Sequence, residues 1–394
     1  MALIGGGGAG FIGKVHAIAA TMDGQATLVA GAFSSNPERS RDAASAFGVA
    51  PERAYGSAGE LFSRESTLPP DERAEFVAIA TPNDTHASLA VAALKAGFHV
   101  VCDKPMAINL SQAAEMVKCA EASGRVFALM HNYSGYPLVR QARTMIQGGE
   151  LGKLLGVRVQ YLQGWMHGRQ PGDTPARGAW KSDPSRNGPG GSLGDVGTHA
   201  YHLLRFITDA KPLELLCQLQ SHAPFHELDD YGHALLRLEG GASGMVTFSQ
   251  VTHGRLNDLS IDVDGDRASL RWRQERPNQL EVRALGQPTR IYERDPNSPL
   301  LSDLARSSCR LPAGHPEAFL EAFANVYRSA FADMAQHRAS YIAPTIAPTM
   351  PSVVLPYPSV RDGYEGVAFI TRCLESHNDN ATWKPTTDFD GSRL

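Results

Sequence analysis

Short apolar segments alternate with helical stretches along the first third of the chain. Five of these segments have the length of buried strands, at residues 2–4, 26–33, 75–80, 99–102 and 126–130. The stretches between them show patterns typical of helices, and two of these stretches end at Gly97 and Gly124, a residue type that favours a helix C-terminus. This alternation predicts a parallel sheet covered by helices on both faces.

The pattern changes after about residue 150. Further apolar or alternating segments predict strands, at residues 154–165, 213–222, 233–238, 242–253, 259–264, 268–274, 279–284 and 289–294. Short turns such as Glu239-Gly240-Gly241 join several of them, which is typical of an antiparallel or mixed sheet. Helices are predicted at residues 11–22, 37–47, 85–96, 111–123, 194–207, 316–334 and 364–376. The proline-rich stretch 344–358 is predicted to be irregular.

The predicted elements indicate an α/β protein with two domains. We assign residues 1–135 to a doubly wound parallel sheet and residues 136–394 to a second α/β domain. The length of 394 residues agrees with two domains, and a hydrophobic content of 42% with 20% charged residues is ordinary for a globular protein.

Charge and cysteine usage exclude several classes of protein. The net charge of −4 and the absence of a basic run argue against nucleic-acid binding. The apolar runs are too short for a membrane helix. The N-terminal segment lacks the basic region and cleavage site of a signal peptide, so we expect a cytoplasmic protein. Five scattered cysteines with no CxxC pair indicate free thiols and no zinc site.

A glycine-rich turn follows the first predicted strand. Gly8-Ala9-Gly10-Phe11-Ile12-Gly13 has the GxGxxG pattern, in which glycines let the backbone approach a pyrophosphate at the start of a helix. The turn predicts a dinucleotide cofactor, NAD or NADP. After the second strand stand Ser34, Ser35 and Arg39, where NAD sites commonly carry a carboxylate, and this favours NADP. Arg39 could equally be a solvated helix residue.

Polar residues follow the next two parallel strands, where such sheets bind ligands. Thr81-Pro82-Asn83 with His86 follows one strand, and Asp103-Lys104-Pro105 follows the next. We therefore expect both groups beside the nicotinamide, although a lysine after a strand is more often a surface residue. Asp195 and His199 stand four residues apart and share one face of a predicted helix. The alternatives for this pair are a structural hydrogen bond or, with His202, a metal site, which we do not predict.

Taken together, these motifs resemble the glucose–fructose oxidoreductase / inositol dehydrogenase (Gfo/Idh/MocA) family. The resemblance extends to Gly314-His315-Pro316 and Asp362-Gly363-Tyr364, so it covers essentially the whole chain. Asp103 replaces the family's usual glutamate, and Ser134 stands where many relatives carry arginine. Residues 161–165 resemble a levoglucosan-dehydrogenase-type branch.

The resemblance implies a Rossmann domain followed by an α/β domain with an open, mostly antiparallel sheet. The outer face of that sheet would make homo-oligomer contacts, in a dimer or tetramer. Lys104, Asp195 and His199 would catalyse hydride transfer between NAD(P) and a secondary hydroxyl of a sugar, cyclitol or related polyol. A neutral imidazole suits a general base, and the lysine would stabilise negative charge on the same oxygen. Whether the lysine or the histidine takes the proton stays open.

Aromatic and basic residues are candidates for the sugar pocket, because an aromatic face can stack on a sugar ring. These candidates are Tyr133, Trp165, Trp180 and Lys181. Two other functions remain open: a redox-neutral sugar conversion with tightly held NAD(P), and a non-catalytic dinucleotide sensor.

Overall fold

The structure is a computed structural model that describes residues 1–8, 11–168, 179–223, 227–342, 355–389 and 391. Within these residues, five parallel strands form the first sheet: β1 (Ala2–Gly5), β2 (Ala30–Ala32), β3 (Phe76–Ala80), β4 (His99–Cys102) and β5 (Phe127–Leu129). Their order is β2-β1-β3-β4-β5. The chain therefore reverses direction across the sheet between β1 and β3, the kind of position where doubly wound sheets bind ligands.

Helices cover both faces of this sheet. Its strands are therefore buried along their whole length. The helices are α1 (Ile12–Thr21), α2 (Pro37–Ala44), α3 (Ala58–Glu65), α4 (His86–Lys95) and α5 (Leu110–Ser123). Helix α3 was not predicted from the sequence, and the strand predicted at residues 26–33 is longer than β2. Single turns of 3₁₀-helix lie at Ser45–Phe47, Pro51–Arg53 and Asn83–Thr85.

The second sheet has nine strands among the described residues. They are β6 (Leu154–Leu162), β7 (Pro212–Gln220), β8 (Tyr231–Leu238), β9 (Ser243–Ser249), β10 (Asp258–Gly265), β11 (Ala268–Arg273), β12 (Gln279–Ala284), β13 (Arg290–Glu293) and β14 (Lys384–Pro385). Their order is β13-β12-β11-β10-β6-β9-β8-β7-β14. The β6–β9 pair is parallel and the other pairs are antiparallel, so the predicted mostly antiparallel sheet is confirmed.

Among the described residues, helices pack on one face of the nine-stranded sheet, and the other face carries no helix. The remaining helices are α6 (Pro137–Gln147), α7 (Pro184–Asn187), α8 (Thr198–Thr208), α9 (Asp303–Arg306), α10 (Phe319–Ile342) and α11 (Val360–Asn378). Buried and exposed residues alternate along β7 and β8, as expected for a sheet covered on one side. Within the described residues, no helix combines the length and apolar character needed to cross a membrane.

The long helix α10 returns from the second half of the chain to the first sheet. Its residues Phe323 and Tyr327 join the hydrophobic core formed with Val15 of α1 and Phe76 of β3. The Tyr327 hydroxyl lies 2.6 Å from Nδ1 of His16, and both residues are fully buried. The predicted helix 316–334 corresponds to α10, which begins later, at Phe319, and extends further, to Ile342. Most of the proline-rich stretch predicted to be irregular, residues 344–354, lies outside the described residues, and residues 355–358 form no helix or strand.

Candidate active site

The glycine turn after β1 brings two backbone segments into close contact. Gly6 has a φ of +84°, and a Cβ on Gly13 would lie 2.4 Å from the Gly6 Cα. Gly8 differs, because a Cβ there would meet no described atom within 4 Å. No described side chain caps the N-terminus of α1, so its first amide groups can bind an anion. Gly10 lies outside the described residues. The turn fits the pyrophosphate of a dinucleotide.

The turn after β2 is held by its own side chains. Ser34 Oγ accepts a hydrogen bond from the Asn36 amide at 3.1 Å, and Asn36 Oδ1 accepts one from the Arg39 amide at 3.0 Å, which starts α2. Ser35 and Arg39 are exposed. Residues 33–37 carry no carboxylate, so nothing in this turn repels a phosphate on the adenosine ribose.

The turns after β3 and β4 are joined through His86. Its ring nitrogens lie 2.9 Å from the Pro105 carbonyl oxygen and 3.0 Å from that of Thr81. Asn83, next to Pro82, donates from Nδ2 to the Asn187 carbonyl at 2.8 Å and so reaches the second half of the molecule. Two of the predicted cofactor residues thus make structural links: His86 connects the two strand ends, and Asn83 connects the two halves of the molecule.

Lys104 reaches across from the end of β4 to Asp195. Its Nζ donates to the Asp195 carbonyl oxygen at 2.6 Å and to Oδ1 at 2.9 Å, while its amide donates to Asp103 Oδ1 at 2.8 Å. Lys181 Nζ lies 2.9 Å from the same Oδ1, and Gln250 Nε2 donates to Oδ2 at 2.7 Å. Both oxygens of this carboxylate are therefore engaged. An ammonium group has three donors, and the third donor of Lys104 has no partner among the described residues.

Asp195 lies in a π-helical turn, Leu193–Gly197, that precedes α8. The predicted regular helix 194–207 is thus wrong at its start, because the Thr198 amide bonds to the Leu193 carbonyl five residues back. Asp229 holds the entry to this turn, and its carboxylate accepts from the Gly191 amide, the Ser192 hydroxyl and the Leu193 amide, each at 2.7 Å. π-helical turns occur frequently at functional sites.

His199, on the first turn of α8, lies among aromatic rings. Its Nδ1 is 3.3 Å from Nδ1 of His131, and its ring meets the Tyr133 ring edge-on at 4.9 Å. The His131 ring also stacks on His202 at 4.3 Å. Burial, and then the Lys104 ammonium, lower the pKa of His199 well below its ordinary value, so the imidazole is neutral. A neutral imidazole can accept a proton.

A pocket lies beside Asp195 and takes in two of the predicted sugar-binding residues. Its lining includes Trp165, Lys181, Asp195, Asp229 and Gln250. Trp180 lies next to it in the chain, with its ring 5.5 Å from Lys181 Nζ. Polar side chains and one indole ring therefore converge on one opening, as expected for a small polar ligand.

Tyr133 belongs to a hydrogen-bonded group that sequence analysis did not assemble. Its hydroxyl lies 2.5 Å from the Tyr161 hydroxyl, which donates to Asn257 Oδ1 at 2.8 Å. Gln163 Nε2 donates to the same Asn257 oxygen at 2.7 Å. Tyr161 also lies beside His199, with ring centres 6.1 Å apart. This group forms a polar wall next to the histidine. Within the described residues, no cluster of three His, Cys, Asp or Glu side chains could hold a metal ion.

Two protein-family descriptions match consecutive parts of the chain. Residues 2–131 match the "Oxidoreductase family, NAD-binding Rossmann fold", and residues 139–271 match the "GFO/IDH/MocA C-terminal domain". The chain belongs to the GFO/IDH/MocA oxidoreductase family. The family resemblance and the fold class predicted from the sequence are confirmed, and the protein is an oxidoreductase with an NAD-binding Rossmann fold.

Other members of the GFO/IDH/MocA family match most of the chain. The uncharacterized oxidoreductase YfiI of Bacillus subtilis is 33% identical over 388 residues, 97% of this chain and 95% of that protein. Levoglucosan dehydrogenase of Pseudarthrobacter phenanthrenivorans is 28% identical over 309 residues, 71% and 75% of the two chains. An inositol dehydrogenase homolog from Azotobacter vinelandii, complexed with NAD⁺, has a TM-score of 0.88 at 37% identity and covers 98% of this chain and 96% of its own. In complex with NADH and myo-inositol it has a TM-score of 0.85.

The structure brings to the site of this GFO/IDH/MocA member several residues that were not predicted from the sequence, and His131, Gln250 and Asn257 are among them. His131 follows β5, the strand next to β4, so the rule that pointed to Lys104 would also have found it. Gln250 and Asn257 lie between β9 and β10, and no local pattern marks them. Their positions depend on how the second sheet folds against the first.

Proposed function

We propose that this protein oxidises a secondary hydroxyl of a sugar, cyclitol or related polyol, with NAD(P) as the redox partner. The observation that carries the proposal is the meeting of Lys104, from the end of β4, with Asp195, from the turn before α8. These residues come from the two halves of the molecule, and they meet beside the pocket and the neutral His199. Bound NAD(P) would supply the hydride acceptor.

The residues of the site suit removal of a proton from an alcohol. His199 has a lone pair and is the general base in this proposal. The third N–H of Lys104 supports the same reaction, because a hydrogen bond from an ammonium group favours negative charge on the substrate oxygen. Asp195 holds Lys104 through both its side chain and its carbonyl oxygen, so the lysine is oriented before substrate binds.

The pocket supports a polyhydroxylated substrate. Trp165 offers an aromatic surface, and Lys181, Gln250 and the Tyr133–Asn257 wall offer hydrogen-bonding groups at several angles. The A. vinelandii homolog was crystallised with myo-inositol, which is a compound of this class. We propose that Tyr133, Trp165, Trp180 and Lys181 contact the substrate.

The test is a dehydrogenase screen with both NAD and NADP against polyols, sugars and anhydrosugars. With the best substrate, His199→Ala should lower the rate of single-turnover hydride transfer at least about 100-fold. The exposed residue His315 supplies the control, since His315→Ala should retain the wild-type rate. A His199→Ala protein with an unchanged melting temperature and a near wild-type rate would refute the mechanism.

We propose further that the protein prefers NADP, because the turn after β2 has two serines and Arg39 but no carboxylate. Titration calorimetry should then show tighter binding of NADP than of NAD, and Ser34→Asp should reverse the order by charge repulsion. A tenfold wild-type preference for NAD, about 1.4 kcal/mol, would contradict this choice.

The open face of the second sheet supports assembly into a homo-oligomer, dimer or tetramer. Leu235 and Met245 lie opposite each other on β8 and β9, and they are 41% and 37% exposed. Paired apolar residues on an open sheet face favour contact with a second copy. Light scattering should give a multiple of the 42.4 kDa chain mass, and Leu235→Glu should reduce it.

A further inference from the structure

We propose that His131 sets the tautomer of His199, accepting a hydrogen bond from its Nδ1–H so that Nε2 keeps the lone pair that receives the substrate proton. His131 would thus be a positioning residue that acts through His199. This inference rests on the proposed role of His199 as the base.

The geometry requires one of the two rings to be the donor. The two Nδ1 atoms lie 3.3 Å apart, and the rings meet at an angle of 80°. A neutral imidazole carries one N–H and one lone pair. A hydrogen bond at this distance therefore needs the proton on one Nδ1 and the lone pair on the other. If His199 donates, its Nε2 is unprotonated and can accept the proton of an alcohol.

His131 is held in a neutral form that suits an acceptor. It is 2% exposed, and burial lowers its pKa well below the ordinary value, with the neighbouring His202, His199 and Lys104 acting in the same direction. Protonated His131 would carry a hydrogen on both nitrogens and could not accept from His199. Neutral His131 accepts at Nδ1 when its own proton is on Nε2, and this is the tautomer that the proposal assigns to it.

The ring of His131 is also fixed in position. One face stacks on His202, at an interplanar angle of 8°. The Ser134 hydroxyl donates to the His131 carbonyl at 2.8 Å, and the His131 amide donates to the Leu129 carbonyl at 2.9 Å. Both backbone groups of His131 are bonded and its ring is packed, so Nδ1 stays directed at His199. A fixed partner of this kind selects one tautomer of a catalytic histidine.

The decisive measurement is NMR of protein labelled with ¹⁵N-histidine, because long-range ¹⁵N–¹H correlations distinguish the two imidazole tautomers. The His199 signals are assigned by their loss in His199→Gln. In the wild type we expect His199 to carry its proton on Nδ1. A wild-type His199 protonated on Nε2 would overturn the proposal, and this readout needs neither substrate nor turnover.

Two substitutions of His131 form a matched pair. Phenylalanine keeps a ring against His202 but has no acceptor, whereas the amide oxygen of asparagine takes about the place of Nδ1. We expect His131→Phe to lower kcat about 100-fold with KM and cofactor affinity within about threefold, and His131→Asn to recover most of that loss. Equal rates for His131→Phe and the wild type would overturn the proposal. If no polyol is oxidised, the proposed function fails, while the NMR result still decides the role of His131.

Discussion

At the residue scale, the site is organised around the Asp195 carboxylate and two lysines that share one of its oxygens. Lys104 and Lys181 both lie 2.9 Å from Oδ1, and Lys104 also donates to the Asp195 carbonyl. Lys104 is therefore held by two contacts, and in the proposed mechanism its third donor is directed to the substrate, whereas Lys181 lines the pocket. The two ammonium groups are chemically identical but occupy different positions in the site.

This difference predicts separate kinetic effects for the two lysines. Lys104→Met should lower kcat at least about 100-fold, because the donor to the developing negative charge is lost. Lys181→Met should mainly raise KM and change kcat less than about tenfold, because Asp195 keeps Lys104 and Gln250. Steady-state kinetics on both variants provide the check. Equal losses of kcat would mean that both lysines act on the substrate oxygen.

Two residues that are four positions apart in the sequence do not necessarily contact each other. Asp195 and His199 are four residues apart, and a regular helix would place them on one face. The π-helical turn changes this spacing, and the described contacts direct Asp195 to the lysines and His199 to His131. A buried carboxylate from Asp229, 34 residues beyond Asp195, shapes that turn.

At the element scale, Gly13 and Gly8 of the glycine turn differ in whether the fold has room for a side chain. Gly13 must lack a side chain because the Gly6 backbone is too close, and backbone atoms cannot move aside. A Cβ on Gly8 would meet no described atom within 4 Å and Gly8 has no positive φ, so the described part of the fold tolerates a side chain there. The open space in front of the N-terminus of α1 is where the cofactor's pyrophosphate would lie.

Valine at each position should separate these requirements. Gly8→Val should leave the melting temperature within about 2 °C of the wild type and weaken NAD(P) binding at least about tenfold. Gly13→Val should lower the melting temperature by several degrees, since it forces α1 away from the turn. Calorimetry with nucleotide and thermal unfolding test both. Unchanged nucleotide affinity in a folded Gly8→Val protein would contradict the assignment of the turn.

At the scale of the whole molecule, a buried arginine connects segments that are far apart in the chain. Arg140 of α6 donates to the Ser134 carbonyl at 3.2 Å, the Ser308 hydroxyl at 2.8 Å, the Ser329 hydroxyl at 3.0 Å and the Pro356 carbonyl at 3.2 Å. It is fully buried, and burial lowers its pKa to about 9, so the guanidinium is still charged at neutral pH. Hydrogen bonds compensate for the burial of that charge.

Removing this side chain should destabilise the entire chain. Arg140→Leu leaves buried carbonyl groups without donors, at about 1–3 kcal/mol each, so we expect a loss of about 3 kcal/mol or more. Arg361, which is about half exposed and pairs with Glu121, supplies the control, and Arg361→Leu should cost no more than about 1 kcal/mol. Denaturant unfolding measures both. A loss below about 1 kcal/mol for Arg140→Leu would show that the segments are held by other contacts.

The sequence by itself determined the strand–helix alternation of the first sheet, the glycine turn and the polar residues after β3 and β4. These signals are local, because burial on both faces demands continuous apolar strands and a close backbone approach demands glycine. Helix α6 was missed although its start at Pro137 and its buried Leu138, Val139, Ala142 and Met145 form a readable amphipathic pattern.

Only the tertiary structure decided how the site is assembled. His131 and His199 are 68 positions apart, Lys104 and Asp195 are 91 apart, and Arg140 and Pro356 are 216 apart. Each contact depends on how the second sheet and α10 pack against the first sheet, and that packing is driven by burial of apolar surface from elements far apart in the chain. Periodicity along the chain reports which face of an element is buried, but not which distant element covers it. For that reason the sequence determined which types of residue are available for chemistry, and the fold determined which of those residues meet.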